Sequence, residues 1–156
     1  MWLTARWCDR WLCGQESAVT ALLCLASHEG SRNTVIRRLV AVLDERNTAA
    51  QLKAAEALAA LSSKSAGNRS AIVQAGAIER LVVLLGDGRR ADAGTPPERA
   101  AAALADLSRI AESRGAIGRA GGVGPLVTML CSTSQDAQTH AATTLFHLST
   151  TVDNKV

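Results

Sequence analysis

One apolar segment occurs three times in this chain, and that repetition restricts its fold more than any other feature. It reads Ile36-Arg37-Arg38-Leu39-Val40-Ala41-Val42-Leu43, then Ile78-Glu79-Arg80-Leu81-Val82-Val83-Leu84-Leu85, then Val123-Gly124-Pro125-Leu126-Val127-Thr128-Met129-Leu130, starting 42 and 45 residues apart. Each copy places apolar residues at i, i+3, i+4 and i+7, the stripe of a short amphipathic helix. A second segment follows each copy, at Ala54 to Ser62, Ala100 to Ser108 and Ala141 to Ser149, and a degenerate fourth lies upstream at Thr20 to Ser27. A third, shorter segment precedes two of the copies, at Asn68 to Gly76 and Ser113 to Gly121. Glycine ends both of these, and it alone takes the left-handed turn that such a stop needs without strain. The unit is therefore short helix, glycine bend, middle helix, loop and long helix, in a little over forty residues. Such a unit buries its apolar faces only by stacking on its neighbours.

Composition agrees. Alanine occurs 29 times in 156 residues, aromatic residues make up 3%, and there is no Tyr. The core is therefore aliphatic and its helices are expected to pack closely. No run of eighteen apolar residues exists, so no membrane span is expected. The opening segment, Met1 to Arg10, is broken by charges and does not form the continuous apolar stretch of a secretion signal. The expectation is an intracellular protein, cytoplasmic or nuclear.

Gly76-Ala77-Ile78 with Leu81-Val82 and Leu84-Leu85, and the Ala-Leu-x-x-Leu-Ser endings at 57–62 and 103–108, resemble the armadillo-repeat family. The resemblance covers roughly Ser17 to Val156, and plant and protist armadillo proteins, including those fused to a U-box, look most similar. It implies an all-α, right-handed α-solenoid of about three repeats plus a partial one. On that reading residues 1–16 are a helical cap or tail and 17–30 a partial repeat, followed by repeats at 31–67, 68–112 and 113–153.

The departures carry information. The first repeat runs from Leu25 to Leu61 in only 36 residues and has lost most of its short helix. The second is longer, because Leu85 to Leu104 spans 19 residues where Leu43 to Leu58 and Leu130 to Leu145 span 15. The extra residues, Gly86 to Gly94, read as a polar surface loop. Thr95-Pro96-Pro97-Glu98 then restarts helix, with Thr95 as cap and Glu98 reaching back to it. The chain ends at Val156 where a further repeat would begin, so the last repeat is expected to leave an apolar face uncapped, through which the array stacks or continues. All three Trp lie in the first eleven residues, and Trp7 and Trp11, one turn apart, read as a lid on the first repeat.

In armadillo proteins the long third helices line a concave groove. Leu58 and Leu61 point to the core, so the groove side is expected to hold Lys53, Glu56, Ala60 and Lys64, then Arg99, Ala102 and Asp106, then His140, Thr143 and His147. The degenerate helix would add Ser17, Thr20 and Cys24. The nuclear-import adaptors of the family carry a ladder of Asn with Trp one turn before. The matching positions here are Cys24, Ala60, Asp106 and His147, and Thr20, Glu56, Ala102 and Thr143, so that ladder is absent and its sites are not carried over. A mixed-charge groove remains, suited to a partner with charges of both signs.

Enzymatic chemistry finds no support. His28, His140 and His147 have no nucleophile at a motif spacing, and His140 and His147 lie two turns apart, too far to share one metal without a third ligand. No phosphate-binding glycine loop is present, and Gly121-Gly122-Val123-Gly124 reads as the repeat's own bend. Cys8, Cys13, Cys24 and Cys131 show no zinc spacing, and Cys24 and Cys131 are expected to be buried, reduced thiols. No cofactor, metal or small-molecule substrate is expected. A net charge of +3 falls short of a nucleic-acid binder, although Arg37, Arg38, Arg89 and Arg90 would be its candidates, with steep salt dependence as the signature. The expected function is a non-catalytic scaffold or adaptor for a protein partner. The alternative is the substrate-recruiting arm of a U-box ubiquitin ligase.

Overall fold

The structure, a computed structural model, describes residues 29–86, 88 and 91–150. The N-terminal lid with Trp7 and Trp11, most of the partial repeat with Ser17, Thr20 and Cys24, and Arg89 and Arg90 lie outside the described residues. Within them the chain forms eight helices: α1 (Glu29–Val42), α2 (Thr48–Lys64), α3 (Ala66–Gln74), α4 (Ala77–Leu85), α5 (Pro96–Leu107), α6 (Ala111–Arg119), α7 (Val123–Met129) and α8 (Gln135–Ser149). The two three-helix units, α3–α4–α5 and α6–α7–α8, follow α1 and α2. α3 and α6 start two residues ahead of the repeat boundaries at 68 and 113 drawn from the sequence.

Local chemistry sets the helix ends. Asn47 caps α2, its side chain accepting from the Ala49 and Ala50 amides at 3.1 and 3.2 Å, a cap worth about 1 kcal/mol. Ser65 caps α3 by accepting from the Asn68 amide at 3.1 Å. Gly76 and Gly121 take φ of 74° and 79°, the left-handed bends expected between the short and middle helices. In the first repeat no bend occurs, and the short and middle helices are fused in the single helix α1. Thr95 stands at the N-cap of α5 as expected, but its side chain makes no capping bond. Its hydroxyl donates to the Asp92 carbonyl at 2.7 Å. Glu98, buried in the first turn, reaches back past Thr95 to accept from the Gly94 amide, and it also accepts from the Ser134 hydroxyl of the following repeat.

α5 is the centre of the packing. It lies against α2 of the preceding repeat, α8 of the following one and α4 of its own. Ala54 and Ala55 on α2, Ala100 and Ala101 on α5, and Ala137 and Ala141 on α8 are fully buried, which lets the three long helices lie close. Leu58, Leu61, Leu81, Leu104, Leu107 and Leu126 fill the space between layers. On the surface Arg80 and Asp44 form an ion pair at 2.7 Å between repeats. Both are well exposed, so the pair contributes at most about 1 kcal/mol.

The inserted segment is not a free surface loop. Ala91 is buried and its carbonyl accepts from the Ser132 hydroxyl at 2.6 Å, while Thr133 donates to the Asp92 carboxylate at 2.8 Å. Gly88 sits against the Pro125 backbone at φ 75°, where an added Cβ would run into the Pro125 carbonyl. The extra residues give the chain enough length to tuck under α7 and latch onto the turn before α8. Cys131 differs as well. It is exposed, because α7 ends at Met129 and Cys131 falls in the turn beyond it.

Candidate functional site

The side-by-side arrangement of α2, α5 and α8 brings equivalent side chains into two short rows. The first row holds Lys53, Arg99 and His140, each partly exposed. Lys53 is tied to Glu56 at 3.1 Å within its own helix. The Arg99 guanidinium and the His140 ring make no hydrogen bond or ion pair among the described residues. Next to them Thr143 is exposed, and its hydroxyl donates to the Thr139 carbonyl at 2.8 Å.

A second row holds Ala60, Asp106 and His147, and here the helices are joined. The Ser62 hydroxyl on α2 faces Asp106 Oδ2 on α5 at 3.3 Å. The Ser108 hydroxyl at the end of α5 faces His147 Nδ1 on α8 at 2.7 Å. Ser62 and Ser108 are the final residues of the Leu-Ser endings, and both are fully buried. Each also donates to the carbonyl three residues back, Ala59 at 2.8 Å and Ala105 at 2.7 Å. A hydroxyl has one proton. With that proton on the carbonyl, Ser108 offers His147 a lone pair, so the ring donates from Nδ1. Ser62 has one proton for two acceptors, the Ala59 carbonyl and the Asp106 carboxylate, and the Asp106 contact is the longer.

Two arginines complete the seam. Arg69 donates to the Ser62 carbonyl at 2.9 Å, and Arg114, at the same place one repeat later, donates to the Ser108 carbonyl at 2.8 Å and to the Thr150 hydroxyl at 2.9 Å. Asn68 adds a bond to the Leu61 carbonyl at 3.0 Å. Its counterpart Ser113 is too short for this, and its buried hydroxyl has no partner among the described residues. His147 is held below the ordinary histidine pKa, first by burial, then by the Arg114 and Arg109 charges. Arg109 lies 3.9 Å from Asp106 and is mostly exposed.

The ten described residues expected on the groove side, from Lys53 to His147, are each at least partly accessible and lie on α2, α5 and α8. Ser62, Ser108, Arg69 and Arg114 were missed, although their recurrence at the same place in consecutive repeats was a usable signal. Among the described residues no three His, Cys, Asp or Glu side chains come together, and no helix is long and apolar enough to cross a membrane. Arg37 and Arg38 are exposed on α1.

Residues 111–150, which hold α6 to α8, match the family profile of the armadillo/beta-catenin-like repeat. An engineered protein of known structure superimposes with a TM-score of 0.71 at 30% identity over 92% of this chain, and a second does so at 0.71 and 32% over 91%. Residues 111–150 are thus an armadillo repeat, and the array as a whole has the armadillo-repeat fold. It spans 61% and 36% of the length of those two structures. A designed armadillo repeat protein in complex with the peptide (KR)4 shares the fold, with a TM-score of 0.71 at 22% identity over 92% of this chain and 64% of its own. No curated protein matches the chain. Against this armadillo frame the α2, α5 and α8 rows are the third-helix positions of three successive repeats.

Proposed function

We propose that this armadillo chain is a non-catalytic protein-binding scaffold or adaptor of the cytoplasm or nucleus. An extended segment of a partner protein would lie across α2, α5 and α8. The observation that supports this reading is the row of Lys53, Arg99 and His140 on three neighbouring helices, with Lys53 engaged by Glu56 of its own helix and the Arg99 and His140 side chains unpaired among the described residues. The packing between repeats does not use these polar groups, so they are available to a ligand. A fold neighbour carries a bound peptide, (KR)4. Here the same layer holds cationic Arg99 beside Glu56 and Asp106, which suits a segment with charges of both signs and an acidic residue at Arg99. A ubiquitin-ligase role would rest on U-box sequence joined to this array in one polypeptide, and finding that sequence is its test.

The reading is tested by partner capture with Lys53, Arg99, His140 and Thr143 changed together to Ala, against Val83→Ala on exposed α4. Asp106 and His147 are left intact because they bond across the seam. Loss of a partner in the fourfold variant alone, with helix content unchanged, supports the reading. An identical partner set for both variants overturns it.

A further inference from the structure

The first row is uneven in what it leaves for a ligand. Lys53 already faces Glu56 at 3.1 Å. Arg99 follows Glu98 in sequence, but that carboxylate is buried in the seam, where it accepts from the Gly94 amide and the Ser134 hydroxyl. The Arg99 guanidinium and the His140 ring are the two members of the row without a partner among the described residues, and both residues are partly exposed. They stand at equivalent places on adjacent long helices, each five residues before a leucine, Leu104 or Leu145. Beside them Ala102 and Thr143 add little bulk, and the Thr143 hydroxyl is turned back to the Thr139 carbonyl of its own helix. A main chain approaching between α5 and α8 therefore meets two unengaged donors on one side, since an imidazole keeps at least one N–H in either charge state.

We infer that α5 and α8 together recognise a pair of acidic residues two apart in an extended partner segment, an acid-x-acid motif with one carboxylate on Arg99 and the other on His140. This motif presupposes the binding layer proposed above and names what that layer selects. In an extended chain residues i and i+2 project to the same side, about 6.6–6.8 Å apart. Packed helix axes lie about 8–10 Å apart. Two residues is the even step nearest that spacing, and the Arg99 stem and the ligand's own side chains span the rest. Adjacent acids point to opposite sides, and acids four apart overshoot at about 13 Å. The guanidinium can hold its carboxylate through two parallel N–H bonds. Asp106 does not oppose this occupant, because it lies two turns along α5, about 10.5 Å away, and Arg109 stands 3.9 Å from it. Asp136 does oppose it. It is exposed one turn before His140 on α8, which makes the His140 rung the weaker of the two.

The test is an NMR titration of the folded chain at about 20 mM salt, where exposed charges are little screened. The probes are two octapeptides of Ser and Ala that each carry two Glu, two apart in one and adjacent in the other. Composition and charge are the same, so only the order of residues differs. The spaced peptide should bind about three- to fivefold tighter, the effect of one exposed ion pair, with shifts at Arg99 and His140. Arg99→Ala should abolish that preference. Asp136→Asn should tighten the spaced peptide about twofold by removing like charge. Val83→Ala, at a site 79% exposed on α4, should change neither. Equal affinity of the two peptides overturns the motif, and if Arg99→Ala then weakens both, the binding layer itself still stands. A preference that survives Arg99→Ala also overturns the motif. So does the absence of shifts at both residues up to about 5 mM peptide, a concentration that reveals millimolar affinity.

Discussion

Asp106→Asn should stabilise the protein, although it removes a charge at a surface that already looks satisfied. The reason lies in proton accounting at Ser62. Its hydroxyl lies within donating range of the Ala59 carbonyl at 2.8 Å and of the Asp106 carboxylate at 3.3 Å, and a proton given to the nearer acceptor leaves a lone pair toward Asp106. Two acceptors then compete for one proton. An asparagine amide would donate into that lone pair and reproduce what His147 does at Ser108, where the contact is 2.7 Å. One added neutral hydrogen bond contributes about 0.5–1.5 kcal/mol. Against it stands the Asp106–Arg109 pair at 3.9 Å, with Arg109 61% exposed, which contributes no more than a few tenths of a kcal/mol. The balance is a gain of about 0.5–1 kcal/mol, or roughly 1–4 °C in Tm for a chain of this size. Urea and thermal denaturation followed by circular dichroism measure it directly. A double-mutant cycle with Ser62→Ala separates the bond from general charge effects, because the coupling between positions 62 and 106 should grow by about 0.5 kcal/mol or more in the Asn background. A lowered Tm, or a coupling no larger than in the wild type, would refute the reasoning.

Two further outcomes are expected. Gly88→Ala should destabilise by about 2–4 kcal/mol, combining left-handed strain with a backbone clash at Pro125, whereas Gly94→Ala, at φ 76° with nothing nearby, should cost only the strain of about 1 kcal/mol. Equal losses in a denaturant titration would show that the insertion is not latched to α7. His147 has a folded pKa below its ordinary value, so the unfolded chain takes up the proton first as pH falls. Its contribution is complete above the ordinary histidine range and declines as pH drops through that range toward the folded value. The loss is small because the ring is partly solvated. Stability measured at pH 7.5 and 5.5 should therefore fall more for wild type than for His147→Asn, which keeps a donor to Ser108, and equal falls would disprove the assignment.

What the sequence made legible is what each unit decides locally. The stripe at Ile78, Leu81, Val82 and Leu85 has one helical solution, and Gly76 and Gly121 mark bends that few other residues tolerate. Leu58 and Leu61 face inward for the same reason. What stayed hidden is decided between units. Ser62 and Asp106 are 44 residues apart, Ser108 and His147 39. Nothing local announces either pair. The inserted segment has loop composition, yet Ala91 and Gly88 are buried because a neighbouring repeat happens to lie within reach. Cys131 continues an apolar run in sequence but falls past the helix end. The first repeat fuses two helices because no glycine interrupts 31–42, a feature the sequence displayed as a shortened repeat.

The two rows of the binding layer are consequently not equivalent. Lys53, Arg99 and His140 contribute nothing to the contact between repeats, so a change there alters recognition and leaves the stack intact. Asp106 and His147 stand two turns further along the same helices and bond to the buried serines of the preceding repeat. A ligand that recruits them competes with the seam. Any free energy it gains at His147 is reduced by the cost of the Ser108 bond it displaces, about 0.5–1.5 kcal/mol. Binding along the second row is thereby linked to the angle between repeats, whereas binding along the first is not. Specificity on this scaffold should accordingly reside in the first row, and the second row sets how rigidly that row is held.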